Sequence, residues 1–189
     1  GLREFSPGER YPPAMAADID SLRRLVRDIV DYPEPGVTFR DITPLLGDGP
    51  AFAAVIDAMH AQFADMAVDR IVGVESRGFI FASALAYRSG AAFVPVRKAG
   101  KLPWAVAREV YDLEYGSDKL EIHRDAIHPG ERILIVDDVL ATGGTASATA
   151  KLVDTLGGDV VGLAFTIELV DLNGRSRLGE RPVTSLLQY

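Results

Sequence analysis

Two adjacent carboxylates, Asp137 and Asp138, follow the apolar run "ILIV" at 133–136. After Val139 and Leu140, the stretch "ATGGT" at 141–145 opens what reads as a helix. Small residues let a backbone close around an anion, and the N–H groups that begin a helix add partial positive charge. The hydroxyls of Thr142 and Thr145 are further donors. Taken alone, this turn has two readings: a phosphate cradle, or a plain helix cap with Thr145 at the N-cap and no ligand. The acidic pair bears on that choice. Carboxylates repel a bare phosphate, so they face another part of the ligand, through hydroxyl donors or a bound Mg2+. A sugar phosphate needs both features about one ribose apart. No Walker lysine follows the glycines, which makes an ATPase P-loop a poor match.

The chain around this stretch has 189 residues, 48% of them hydrophobic, enough for one domain with a buried core. A formal net charge of −7 argues against broad nucleic-acid binding, which needs a cationic surface. No apolar stretch approaches the ~20 residues that span a bilayer. The absence of cysteine excludes disulfides and thiolate metal sites and fits a cytoplasmic protein. Residues 1–17 mix proline, glycine and charge without a period and read as a flexible N-terminal extension, lacking the apolar centre of a secretory signal.

The elements that position the acidic pair follow from hydrophobic spacing. Ile19, Leu22, Leu25, Val26, Ile29 and Val30 predict one helix from Asp18, ended by "DYPEPG". "GVTFRDITPLL" reads as a loop or short extended piece. A second helix carries Phe52, Val55, Ile56, Met59, Phe63 and Met66 on one face. "IVGV", "AFVPV", "ILIV" and "VVGLAFTIEL" read as strands, with helices over 79–87 and 145–156 and a final edge strand at "SLLQY". From Lys98 to about Tyr115 the pattern breaks, with no core period until "REVYDLEY". Strands alternating with helices predict an α/β fold with a mostly parallel central sheet flanked by helices, and ligands of such sheets sit at the carboxyl ends of the strands. That rule sets "ESRG", "RKAGK" and "DDVLATGGT" along one rim.

The run from Val136 to Thr145 resembles the 5-phosphoribosyl-1-pyrophosphate signature of the type I phosphoribosyltransferases. "PGVTFRDITPLL", "VGVESRGFIF", "RKAGKLP", "LEYGSDKLEIHRDAI" and "SLLQY" extend the likeness to the adenine-specific branch, from Asp18 to Tyr189. The resemblance implies that family's fold in a single domain over 18–189, with a small hood mainly from 18–45 and a flexible active-site loop. It implies adenine and 5-phosphoribosyl-1-pyrophosphate as substrates, AMP and pyrophosphate as products, and a homodimer. Mg2+ would ride mainly on substrate phosphates and ribose, with Asp137 and Asp138 nearby and no direct protein ligand. Ala141 stands where 6-oxopurine enzymes carry an acid for N7 of the base, and Asp138 where uracil enzymes carry proline. Both differences favour adenine. A regulator that only senses the sugar phosphate would carry an added nucleic-acid-binding surface, which this acidic chain lacks.

By the same resemblance, Ala141, Thr142, Gly143, Gly144 and Thr145 hold the 5′-phosphate, with Asp137 and Asp138 on the ribose hydroxyls. Thr38, Phe39 and Arg40 form the adenine pocket with Ala141, Phe39 stacking on the base. Glu75, Ser76, Arg77 and Gly78 match the pyrophosphate loop, which in a family member contains a non-proline cis peptide. Arg97 and Lys101 match positions that meet pyrophosphate, one of which the resemblance allows to come from the partner subunit. Glu114 matches the residue that exchanges a proton with N7, and Tyr115 orders the loop that closes over the substrates.

Overall fold

The computed structural model describes residues 19–112 and 117–189. The chain divides into two compact units, 1–58 and 59–189.

In the first unit, α1 (Ile19–Arg24), β1 (Arg27–Val30), β2 (Thr38–Asp41) and α2 (Thr43–Gly47) precede α3 (Gly49–Phe63), which runs on into the second. The helix predicted from Asp18 to Val30 therefore stops early, and its second half is a strand. Arg27 stands opposite Asp41, Asp28 opposite Arg40, and Ile29 opposite Phe39 in an antiparallel ribbon. Ion pairs join Arg27 to Asp41 and Arg40 to Asp28. Opposite charges and apolar partners across the strands, with β-branched Ile29 and Val30, favour this ribbon over a longer helix. The helical spacing there marks no core face, since Ile29 and Val30 are exposed. "VTFRDITPLL" divides between β2 and α2, with Pro44 in the first turn of α2, where its missing N–H costs no helical bond.

The second unit holds, among the described residues, one seven-stranded sheet in the order β5-β6-β4-β3-β7-β8-β9. Its strands are β3 (Arg70–Val74), β4 (Ala92–Lys98), β5 (Val106–Asp112), β6 (Ser117–His123), β7 (Arg132–Leu140), β8 (Asp159–Glu168) and β9 (Val183–Gln188). β4, β3, β7, β8 and β9 are mutually parallel, and β5 and β6 are antiparallel. Parallel neighbours need crossovers. α4 (Gly78–Ser89) joins β3 to β4, and α5 (Gly144–Thr155) joins β7 to β8. α4 buries Phe81, Ala82, Leu85 and Ala86 and ends on Gly90, whose N–H reaches the Ala86 carbonyl. Leu152 and Val153 of α5 enter one core with Val72, Ile135, Leu163 and Phe165.

Two features depart from expectation. The stretch after Lys98 contains β5, half of a hairpin with β6. β5 lies at the sheet edge with Val110 half exposed, and the periodic segment "REVYD" falls within it. β7 does not stop at the acidic pair: Asp137 pairs with Phe165 and Val139 with Ile167 of β8, so the strand continues to Leu140. β9 is an edge strand, as "SLLQY" predicts.

Candidate functional site

β3, β4 and β7 run parallel, so the segments that follow them open on one rim. After β7, a cavity of about 80 Å3 is lined by Asp137, Val139 and the continuous run from Leu140 to Ala146. Gly143, at φ 81°, is the N-cap of α5, and no side chain caps the helix. The plain-cap reading with Thr145 at the N-cap therefore fails. A helix start without a side-chain cap is the arrangement that leaves backbone donors for an anion. The Thr145 hydroxyl lies 3.4 Å from the Tyr111 hydroxyl of β5.

The acidic pair is less exposed than charges at a strand rim are expected to be. Asp138 is only 6% exposed. Asp137 keeps part of its surface open, but its carboxylate is hemmed in: a Cβ at Gly78 would stand 2.6 Å from Asp137 Oδ1. The glycine that begins α4 thus lets β7 approach. Asp137 Oδ1 accepts the Asp138 N–H at 2.8 Å. Burial, then the adjacent Asp138 carboxylate, push the Asp137 carboxyl well above its ordinary range. Arg77 Nε is 3.0 Å from Asp138 Oδ2. That approach is an ion pair without hydrogen-bond alignment, because the same buried oxygen has no hydrogen-bond partner. A buried acceptor in that state calls for a donor. Among the described residues no three His, Asp or Glu side chains form a metal cage. Two carboxylates, one with an unmatched oxygen, fit a hydrated Mg2+ that arrives with most of its ligands on a substrate.

Charged side chains dominate the other part of the rim. Glu75 accepts Arg97 Nε at 3.2 Å, the Lys98 N–H at 3.1 Å, and the Lys101 ammonium. Burial alone would raise the Glu75 carboxyl, but Lys101, the Lys98 N–H and Arg97 together hold it below its ordinary value. The Glu75–Ser76 peptide is cis. Glu121, buried at 1% exposure, accepts the Gly100 N–H and Arg108 Nε, each at 2.8 Å. The Gly100 N–H, then Arg108, hold its carboxyl low despite burial. Glu121 thereby anchors the turn that carries Lys101.

Of the residues singled out from sequence, the second unit brings together Arg77 with Asp138, Gly78 with Asp137, and Glu75 with Arg97 and Lys101. Ala141, Thr142, Gly143, Gly144 and Thr145 share one cavity with Asp137. Ser76 is exposed beside Arg77. Thr38, Phe39 and Arg40 lie on β2 in the first unit, where Phe39 meets Tyr32 edge-on at 5.4 Å. Glu114 and Tyr115 lie outside the described residues. Sequence reasoning missed the roles of Glu121 and Tyr111, whose partners Gly100, Arg108 and Thr145 lie 13 to 34 residues away.

The phosphoribosyl transferase domain model matches residues 46–182. The adenine phosphoribosyltransferase of Chloroflexus aurantiacus is 55% identical over 168 residues, covering 89% of this chain and 97% of that protein. The crystal structure of the Rhodothermus marinus adenine phosphoribosyltransferase superposes with a TM-score of 0.87 at 50% identity, covering 90% of this chain and 98% of the other. The Saccharomyces cerevisiae enzyme, solved with an imino-altritol bisphosphate and adenine, gives 0.86 at 41%, with 89% and 98% covered. With its rim, its glycine turn and these relatives together, the chain belongs to the adenine phosphoribosyltransferases of the phosphoribosyl transferase domain family.

Proposed function

We infer that the chain transfers the phosphoribosyl group of 5-phosphoribosyl-1-pyrophosphate to N9 of adenine, giving AMP and pyrophosphate, a purine-salvage step. The observation that carries this reading is the cavity that the Asp137 carboxylate shares with the Ala141–Thr145 turn and its helix start without a side-chain cap. In this reading the turn holds the 5′-phosphate and the acidic pair takes the ribose hydroxyls, one of them meeting the unmatched oxygen of Asp138. The Glu75–Gly78 segment receives pyrophosphate with Arg77, Arg97 and Lys101, the last two gathered by Glu75.

The C1′–O bond breaks ahead of attack, and its electron pair leaves with pyrophosphate. Arg77 and Lys101 stabilise that charge. The ribose, left with oxocarbenium character, is met by the N9 lone pair of adenine, and the N7 proton passes to Glu114. When bound, a Mg2+ borne by pyrophosphate and ribose beside Asp137 and Asp138 supplies further charge neutralisation. Thr38 and Arg40 read the edge of adenine through their backbones and Phe39 stacks on it, residues 18–45 acting as a hood. Ala141 leaves N7 of a 6-oxopurine without an acid. Residues 101–115, with Tyr115 ordering them, exclude water over the site.

Family membership supports a cytoplasmic homodimer, and exposed Ile80, Tyr87 and Phe93 on α4 and β4 support the dimer. Among the described residues no helix is long and apolar enough to cross a membrane. The test is a panel of purine bases supplied with 5-phosphoribosyl-1-pyrophosphate and Mg2+. AMP from adenine, with little or no product from hypoxanthine or guanine, is expected. Comparable turnover of hypoxanthine would contradict the role given to Ala141.

A further inference from the structure

Behind the glycine turn lies a second glycine. A Cβ on Gly174 would run into the Ala141 carbonyl oxygen and stand 3.0 Å from Leu140 Cδ1 and 3.1 Å from the Gly143 nitrogen. A Cβ on Gly143 would in turn run into the Gly174 carbonyl oxygen. The two backbones are in reciprocal contact, so the turn at 141–143 takes its position from the 3-10 turn Gly174–Arg177.

That 3-10 turn is itself fixed by a charge network. Glu168, 5% exposed at the end of β8, accepts Arg175 Nε at 2.6 Å and Arg175 Nη2 at 2.7 Å. Arg175 Nη1 donates to the Val183 carbonyl at 2.7 Å, and Ser185 Oγ donates to Glu168 at 2.5 Å. A bidentate fork tied to two strands fixes both the distance and the rotation of the turn beside it. The Glu168 backbone also pairs with Leu140, the residue before the loop, so one residue joins β7 through its backbone and β9 and the turn through its carboxylate. Its carboxyl is held at about 2 by Arg175 and Ser185, against burial.

We propose that Arg175 and Glu168 are positioning residues for the phosphate-binding turn, acting through the Gly174–Gly143 backbone contact. This rests on the reading of 141–145 as the 5′-phosphate site.

The test measures 5-phosphoribosyl-1-pyrophosphate affinity by calorimetry with Mg2+, and steady-state constants for both substrates. It uses the full chain and the variants Arg175→Met, Arg175→Lys, Gly174→Ala and Thr142→Val. Arg175→Met is expected to raise Kd and KM for the sugar phosphate about 10-fold, while kcat and the adenine KM stay within about twofold. Arg175→Lys, which keeps the charge but not the fork, should fall between. Combined with Thr142→Val, the loss should be smaller than the product of the single losses, since both act on one turn. If Arg175→Met fails to fold by circular dichroism, Gly174→Ala carries the same expectation. The proposal is overturned if Thr142→Val weakens binding while the folded Arg175 and Gly174 variants bind as the parent does. It is also overturned if those variants degrade kcat and both KM values together. Unchanged binding by Thr142→Val would instead remove the phosphate-turn reading, and the proposal with it.

Discussion

The turn after β7 presents backbone donors held by close packing, whereas the rim after β3 and β4 presents charged side chains held by carboxylates. At the first, Gly143 and Gly174 leave no space for a methyl group, and no side chain caps α5. At the second, Glu75 gathers Arg97 and Lys101, and the Lys101 side chain is 46% exposed. The two constructions suit two parts of one substrate in the proposed reaction. The 5′-phosphate stays put during chemistry and is served by a rigid cradle whose donors do not titrate. The pyrophosphate leaves, and is served by cations that can return to Glu75.

The largest expected effect lies between the two regions, at the acidic pair. Replacing Asp137 and Asp138 by Asn should lower kcat/KM by about 10²–10³-fold, the scale of losing preorganised electrostatic contacts. Asp137→Asn alone should also stabilise the fold at neutral pH. Its folded carboxyl titrates above its unfolded value, so the acid form favours folding, and that contribution fades as pH rises through the folded pKa. Thermal unfolding at several pH values should show the gap between variant and parent widening with pH. A variant less stable than the parent throughout would contradict this account of the site. The next effect concerns chemistry apart from either anion site. Glu114→Leu should lower the single-turnover rate by about 10²-fold and leave sugar-phosphate binding nearly unchanged, with Glu114→Gln retaining more activity.

Gly143→Val probes the backbone-built region itself. A side chain at φ 81°, directed at the Gly174 carbonyl, costs about 1–3 kcal/mol, roughly 5- to 150-fold in affinity if expressed fully in binding. Calorimetry on the folded variant checks it. Lys101→Met, in the charged region, should raise the KM for 5-phosphoribosyl-1-pyrophosphate only several-fold at low ionic strength, and about 0.5 M salt should shrink the difference, because exposed charges are screened. The Gly143→Val deficit should persist in the same salt. Equal salt sensitivity of the two variants would erase the distinction between the regions.

The same contrast explains what was legible in the sequence. A backbone cradle needs small residues in a fixed order beside a buried strand, so "ILIVDDVLATGGT" announces it. The parallel core was readable for the same reason: β3, β7 and β8 are nearly continuous apolar runs. The charged region depends on partners distant in sequence. Glu121 lies 21 residues from Gly100, and nothing local marks it as a buried anchor. The β1 half of the ribbon reads as helix in the sequence because its order comes from cross-strand pairs such as Asp28 with Arg40, which a helical period cannot reveal. Gly174 escaped notice altogether, since a glycine in an irregular turn looks the same whether or not another backbone presses on it.

The most direct test separates the two regions with two fragments of the substrate. Ribose 5-phosphate carries the phosphate and the ribose hydroxyls, and pyrophosphate carries only the leaving group. Equilibrium titration of each, with Mg2+, against the parent, Gly143→Val and Lys101→Met should give a crossed pattern. Gly143→Val should lose ribose 5-phosphate and keep pyrophosphate, while Lys101→Met should do the reverse. A Gly143→Val protein that is folded and binds ribose 5-phosphate as the parent does would contradict the assignment of the turn after β7.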